Sequence, residues 1–238
     1  MLSLIRNLFL KKHDEGKGFS VICVYNNRTK LNDYLVKSLN RQTVPFELIA
    51  IDNTTGKFNS AAALLNEAAR KAKYDYFMFA HQDVSLGSKK WLESARKDLK
   101  KLYPFGAAGV AGKLDEELLA SVSHGNPPHF VGKRRLRKPM RVQTLDGCLM
   151  IVRREIFLNI PFDEKAVDGW ILYVANYCLD LIRQGYRNYV LPHEVYHEST
   201  GCDDRDAIQN VMNKIIARHK DHIKTIYTTV GTWDTCQK

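Results

Sequence analysis

The chain has 238 residues, 45% of them hydrophobic and 26% charged, which excludes the disordered and fibrous classes and is enough to bury a real core in one large domain or two small ones. No apolar run approaches the ~20 residues a membrane-crossing helix needs. The net charge of +10 suits acidic partners: nucleic acid, anionic lipid or phosphorylated small molecules. The five cysteines (Cys23, Cys148, Cys178, Cys202 and Cys236) are odd in number and widely spread. They argue against a disulfide framework or zinc site and for a reducing compartment, the cytoplasm by default.

Residues 1–18 form a short amphipathic segment with a basic end and no small-residue cleavage site. It is read as a leading helix that docks on the domain in preference to lying on a membrane surface. Phe19–Tyr25 is a continuous apolar strand ending at the turn signal Asn26-Asn27. From Lys30, the residues Leu31, Tyr34, Leu35 and Leu39 follow helical spacing. A second strand begins at Phe46 and ends in Asp52-Asn53. Ala61, Leu65, Ala68, Ala69 and Ala72 form the stripe of a second helix. The stretch from Tyr74 to Leu86 begins as an aromatic-rich strand buried on both faces and ends in His81-Gln82-Asp83. A helix with Leu92, Ala95, Leu99 and Leu102 on one face follows, then a short strand within residues 107–112.

Strands alternating with helices predict right-handed crossovers and a parallel sheet. The first three strands end in polar clusters, and in such a sheet these ends share one edge, where ligands bind. No glycine-rich phosphate loop follows the first strand, which weakens a dinucleotide-binding or P-loop reading. From Leu114 to Arg141 the periodicity lapses. Residues 121–128 and the basic run from Lys133 to Arg141 are read as surface loops. Residues 142–152 read as a hairpin turning at Asp146-Gly147. A buried helix spans about Trp170 to Arg183, with Gly185 as its C-cap and with Asn176 and Asp180 on one face. A strand from Asn188 leads to the segment His193 to Gly201, and a last amphipathic helix carries Ile208, Val211, Met212, Ile215 and Ile216. His13, His124, His129, His219 and His222 are read as surface residues.

In this order the pieces resemble the inverting nucleotide-sugar glycosyltransferases of the GT-A-type fold, over about Phe19 to Gly201. The resemblance rests on Val24-Tyr25-Asn26-Asn27, Ile49 to Asn53, Asn59-Ser60-Ala61 through Asn66, the acidic motif, Leu145-Asp146-Gly147, Arg153-Arg154-Glu155, Phe162-Asp163-Glu164, Arg183-Gln184-Gly185-Tyr186 and a strand ending in His197. The branch it looks most like is family-2-like, with His-Gln-Asp in place of Asp-x-Asp. The resemblance implies an α/β single domain over 19–238, its mostly parallel central sheet flanked by helices. The nucleotide-sugar-binding half would be 19–112, the acceptor and catalytic half 113–201, and the C-terminal helix and tail 202–238.

It further implies a metal-dependent transfer of sugar from a nucleotide-diphosphate donor to an acceptor hydroxyl, the acceptor being a glycan or lipid-linked. Tyr25 and Asn26 would line the nucleotide pocket, Asp52 would bond the base with Asn53 beside it, and Asn59, Asn66, His81 and Gln82 would border the substrate. Asp83 would bind Mn²⁺ or Mg²⁺ across the diphosphate, and His197 would complete that metal site. Asp146 belongs to the acceptor side. Trp170 either stacks on a sugar face or anchors its helix. The general base is assigned to Asp168, a position that also suits an N-cap, with Asp180 and Asp146 as alternatives. Asn176 falls where related sequences carry a carboxylate, and the Glu-Asp pair that the family usually places near the start of this helix is missing. The alternative is therefore a degenerate domain that binds nucleotide sugar or glycan without transfer. The basic loop fits an anionic acceptor or a peripheral membrane contact better than nucleic acid, since no aromatic residues interleave it.

Overall fold

The computed structural model describes the backbone of Ile5–Leu8 and residues 17–167, 169–198, 201 and 204–236. In chain order the elements are β1 (Ile5–Leu8), β2 (Phe19–Tyr25) and a helical stretch α1 over residues 28–39, wound as a π-helix in Leu31–Val36. Then come β3 (Phe46–Asp52), α2 (Ala61–Lys71), β4 (Tyr76–Ala80), β5 (Val84–Leu86), α3 (Trp91–Leu99), β6 (Phe105–Gly109) and β7 (Ala111–Leu114). Four short strands follow: β8 (Glu117–Ala120), β9 (Val122–His124), β10 (His129–Phe130) and β11 (Met140–Val142). The second half holds β12 (Thr144–Leu145), β13 (Leu149–Arg153), α4 (Arg154–Asn159), α5 (Tyr173–Arg183), β14 (Arg187–Val190), β15 (Val195–His197) and α6 (Arg205–His219). A hairpin of β16 (Thr225–Thr228) and β17 (Gly231–Asp234) ends the described chain.

The central sheet has eight strands in the order β1-β3-β2-β4-β13-β6-β14-β11. β2, β3, β4, β6 and β14 run in one direction, while β1, β13 and β11 run against them. The alternating side chains of each strand feed two separate cores. Ile22, Ile49, Phe77, Phe79, Met150 and Val152 pack under α2, α4 and α5, while Val21, Leu48, Met78, Leu149 and Ile151 face α1 and α3. The small buried residues of α2 (Ala61, Ala62, Ala68 and Ala69) let this helix lie close on the sheet. Beside β13, Gly109 is required by proximity: a Cβ there would sit 2.7 Å from the Leu149 carbonyl oxygen.

Several sequence expectations are corrected. The N-terminal segment, expected as a helix, contributes β1, which pairs antiparallel with β3 and covers its outer edge. A short helix is marginal in water, whereas a free strand edge offers a full row of backbone partners. Residues 142–152 are not a hairpin. β12 pairs with β7, while β13 inserts between β4 and β6, so Asp146-Gly147 is where the chain passes from one sheet to another. The Asp146 carboxylate makes this turn by accepting from the Cys148 amide at 2.9 Å. The region expected as loops contributes β8 to a three-stranded sheet and β9 and β10 to a four-stranded one, order β10-β9-β15-β5. The buried helix begins at Tyr173, because Leu172 has φ 62° and breaks it from Trp170. No helix among the described residues is long and apolar enough to cross a membrane.

Candidate active site

The carboxyl ends of β3, β2 and β4 lie side by side, as the three polar strand ends predict. Gln82 staples them. Its Oε1 accepts from the Asn26 and Asn27 amides at 3.0 and 2.8 Å, and its Nε2 donates to Asn26 Oδ1 at 2.6 Å. Asp52 accepts at one oxygen from the hydroxyl and amide of Thr54, and at the other from Tyr25 and Arg28. The Thr54 hydroxyl and amide foremost, with Tyr25 and Arg28, hold this carboxyl well below the usual range. Asp52 was expected to bond a base. Both its oxygens accept from protein donors, and it ties Tyr25 and Arg28 to the rim.

Behind these ends lies a cavity of about 350 Å³, with Tyr25, Asn26, Asn53, His81, Asp83 and Trp170 among its walls. Asn53 lines it, but its amide is engaged at both ends with the Phe58 backbone. Asn59 is exposed and outside the cavity wall. Asn66, also expected at the substrate, is 2% exposed and holds the backbone of Phe162 and the Glu164 carboxylate through three hydrogen bonds of 2.9–3.1 Å. Its task is to fix the 162–164 turn. Asn66→Ala leaves two buried backbone groups unpaired, so chemical denaturation is expected to show a loss of about 2 kcal/mol.

His81 and Asp83, which line this cavity, converge with His197, which lines two neighbouring hollows. β15 pairs antiparallel with β5, setting His197 opposite Val84 and thus beside the end of β4. One ligand atom from each of the three lies within 4.8 Å of the others. His197 Nε2 sits 3.4 Å from Asp83 Oδ1, yet it is buried and has no hydrogen-bond partner. A buried imidazole nitrogen left unpaired beside a carboxylate is a cost the fold does not need. It fits ligands arranged for a cation. Burial works against the Asp83 carboxylate, but the two imidazoles outweigh it and its pKa is lowered. Burial, and secondarily His197, lowers the pKa of His81 and keeps that ring neutral, the form a metal ligand requires.

Two further hollows continue from the first. One of about 320 Å³ shares His81, Trp170 and Tyr173 with it, and one of about 190 Å³ shares Asp146, His197, Thr229 and Val230 with the middle hollow. Asp146 lines both of these hollows. Its second oxygen accepts from the Thr229 hydroxyl at 2.8 Å. Burial opposes its charge, but the Cys148 amide and Thr229 hydroxyl prevail and its pKa is lowered. Trp170 is 41% exposed and borders both the first and the middle hollow, so it is a wall of the cleft and not a buried anchor.

Asp168 lies outside the described residues, though Trp170 is two positions away and the Gly169 carbonyl accepts from the Ala61 amide at 3.1 Å. Asp180 is not in the cleft. It is bonded twice by Arg218 of α6 and stands 3.4 Å from the Asn176 amide. His219, expected at the surface, is fully buried and meets Asn176 Oδ1 at 3.0 Å. Asn176 and Asp180 therefore belong to the seam between α5 and α6. Thr229, Val230 and Tyr173 were missed in the sequence. The β-branched runs on either side of Thr229-Val230-Gly231 are the hairpin signal that would have found the first two.

A family model described as a glycosyltransferase-like family matches residues 20–220. A protein of Fuscovulum blasticum named "ATP synthase subunits region ORF 6" is 27% identical over 198 residues, covering 79% of this chain and 78% of that one. Among solved structures, S. aureus TarS 1-349 in complex with UDP-GlcNAc superposes with a TM-score of 0.57 at 17% identity, over 84% of this chain and 66% of that one. Its complex with UDP gives 0.56 at 17% identity, over 84% and 64%. The chain thus spans slightly less than two thirds of these TarS chains, and the likeness is one of fold. With residues 20–220 matched and the sheet order described above, the chain belongs to the glycosyltransferase-like family and has the GT-A-type fold.

Proposed function

We propose that the protein transfers a sugar from a nucleoside diphosphate donor to an acceptor hydroxyl, with inversion and with a divalent cation, Mn²⁺ or Mg²⁺. The observation that carries this reading is the convergence of His81, Asp83 and the unpaired His197 Nε2. The solved neighbours were crystallised with UDP and UDP-GlcNAc, which supports a uridine donor. Asp83 and His197, with His81 beside them, would hold the cation; bound there, it neutralises charge on the departing diphosphate. Tyr25 and Asn26 border the donor, Gln82 keeps the Asn26 turn in place, and Trp170 presents its ring between the donor cavity and the middle hollow. Trp170 and Tyr173 restrict water at that junction, which protects an activated donor from hydrolysis.

Asp168 remains the proposed base. Asp146 is the weaker candidate, because both its oxygens already accept hydrogen bonds and its pKa is lowered. The reading of a degenerate domain rests on Asn176 and on the missing acidic pair near the start of α5, and only the first is addressed by the fold. Asn176 is buried in the α5–α6 seam, where it does not bear on the cleft. Thermal melting of the full chain with UDP, other nucleoside diphosphates and Mn²⁺ tests donor binding, and stabilisation by one nucleotide that grows with metal is expected. UDP release from a UDP-sugar should fall about 10²–10⁴-fold in Asp168→Asn while that stabilisation persists. No stabilisation by any nucleotide would sink the proposal.

A further inference from the structure

The outer hollow of about 190 Å³ is built differently from the donor cavity. Its walls are mostly aliphatic: Leu118 and Ala120 of β8, Val122 of β9, Val131, and Val230 at the tip of the C-terminal hairpin, with His124 and Cys148 among them. Asp146, His197 and Thr229, which it shares with the middle hollow, mark the end nearer the donor cavity. A glycan would need hydrogen-bond partners and aromatic faces along its length, whereas the polar and ring-bearing side chains here are few: His124, and Asp146, His197 and Thr229 on the side shared with the middle hollow. The walls suit hydrocarbon.

The rim adds charge. The basic run begins two residues after Val131, and Arg134 is paired with Glu117, the residue before Leu118, which lays the run along the mouth of the hollow. Arg135 is paired with Glu194. Lys133, Arg137 and Lys138 have no carboxylate partner among the described residues and remain available to an anion.

Resting on the donor-site reading above, we propose that this hollow is the acceptor subsite and that the acceptor is an anionic amphiphile. Its hydrocarbon part lies against the aliphatic walls, its hydroxyl faces Asp146 and His197, and its anionic group meets the basic rim. Val230 and Thr229 make the C-terminal hairpin the element that selects it. Thr229 also fixes the Asp146 carboxylate that faces the hydroxyl.

The test is calorimetric titration of the full chain with three probes below their micelle concentrations: methyl β-glucoside, decyl β-glucoside and decyl phosphate. Decyl β-glucoside is expected to bind at least tenfold more tightly than methyl β-glucoside, and decyl phosphate at least tenfold more tightly again. Val131 and Val230 are each 37% exposed, so Val131→Asp with Val230→Asp is compatible with folding. This variant should lose at least tenfold in affinity for both decyl compounds, and Lys133→Ala with Lys138→Ala should lose the preference for phosphate alone. Titration with UDP and Mn²⁺ runs in parallel and should be unchanged in both variants. Equal binding of the methyl and decyl glucosides, or decyl binding unaffected by the two Asp substitutions, overturns the proposal. Decyl phosphate binding without UDP binding removes its acceptor role, and UDP binding without decyl phosphate binding overturns it while leaving the donor site intact.

Discussion

Asp83→Asn is expected to lower transfer activity by about 10²–10³-fold, the range seen when one preorganised electrostatic contact to a developing charge is removed. The substitution keeps the side chain's volume and removes the one carboxylate of the His81-Gln82-Asp83 motif. His197→Gln should cost about 10–100-fold, because the carboxylate and His81 remain. Metal-free stability is the informative control. The approach between His197 Nε2 and Asp83 is electrostatic and lacks hydrogen-bond geometry, so little folding free energy is invested in it. Asp83→Asn should therefore unfold within about 1 kcal/mol of the parent in urea while losing Mn²⁺-dependent stabilisation by UDP. Loss of activity together with comparable loss of stability would make Asp83 a structural residue.

The second large effect is on stability against acid. His219 is fully buried between α5 and α6, and burial first, then Arg218, Arg183 and His222, lowers its pKa from 6.5 to about 4. Asp180 stands 4.0 Å away but is committed to Arg218, while the nearest acceptor, Asn176 Oδ1, is neutral. Between pH 6.5 and about 4 the unfolded chain takes up a proton that the folded one refuses. The stabilising contribution of neutral His219 is thus complete above pH 6.5 and is lost as pH falls towards 4. A drop of that size corresponds to about 3 kcal/mol. Urea midpoints measured from pH 7 to pH 4 should fall accordingly, and His219→Gln, which keeps a donor for Asn176, should flatten that part of the profile. An equal slope in the variant would remove His219 as its source.

The first half of the chain was legible because its signals are local and repeated. β2, β3 and β4 are apolar runs with polar ends, and parallel pairing sets those ends on one edge without further information. His197 was legible only through the order of family motifs, since nothing in its own strand says that β15 will pair with β5. The short strands after residue 113 were not legible. β8, β9, β10 and β12 are two to four residues long, too short for periodicity to register. Asp146-Gly147 carries a strong hairpin signal, yet β13 is apolar on both faces and is drawn between β4 and β6. The amide residues Asn53, Asn66 and Gln82 share one type, and the sequence does not show that each is spent on internal backbone or side-chain partners. The buried fate of His219 depends on Asn176, 43 positions earlier, which no local pattern reveals.

The central claim is that Asp83 and His197 hold a divalent cation against the donor diphosphate. Crystals grown with UDP and Mn²⁺, measured at the manganese absorption edge, test it most directly. One anomalous peak is expected in the cleft, bonded to the Asp83 carboxylate, the His197 imidazole and the diphosphate. UDP seated in the cleft with no cation at Asp83, or a cation held elsewhere in the protein, would contradict it.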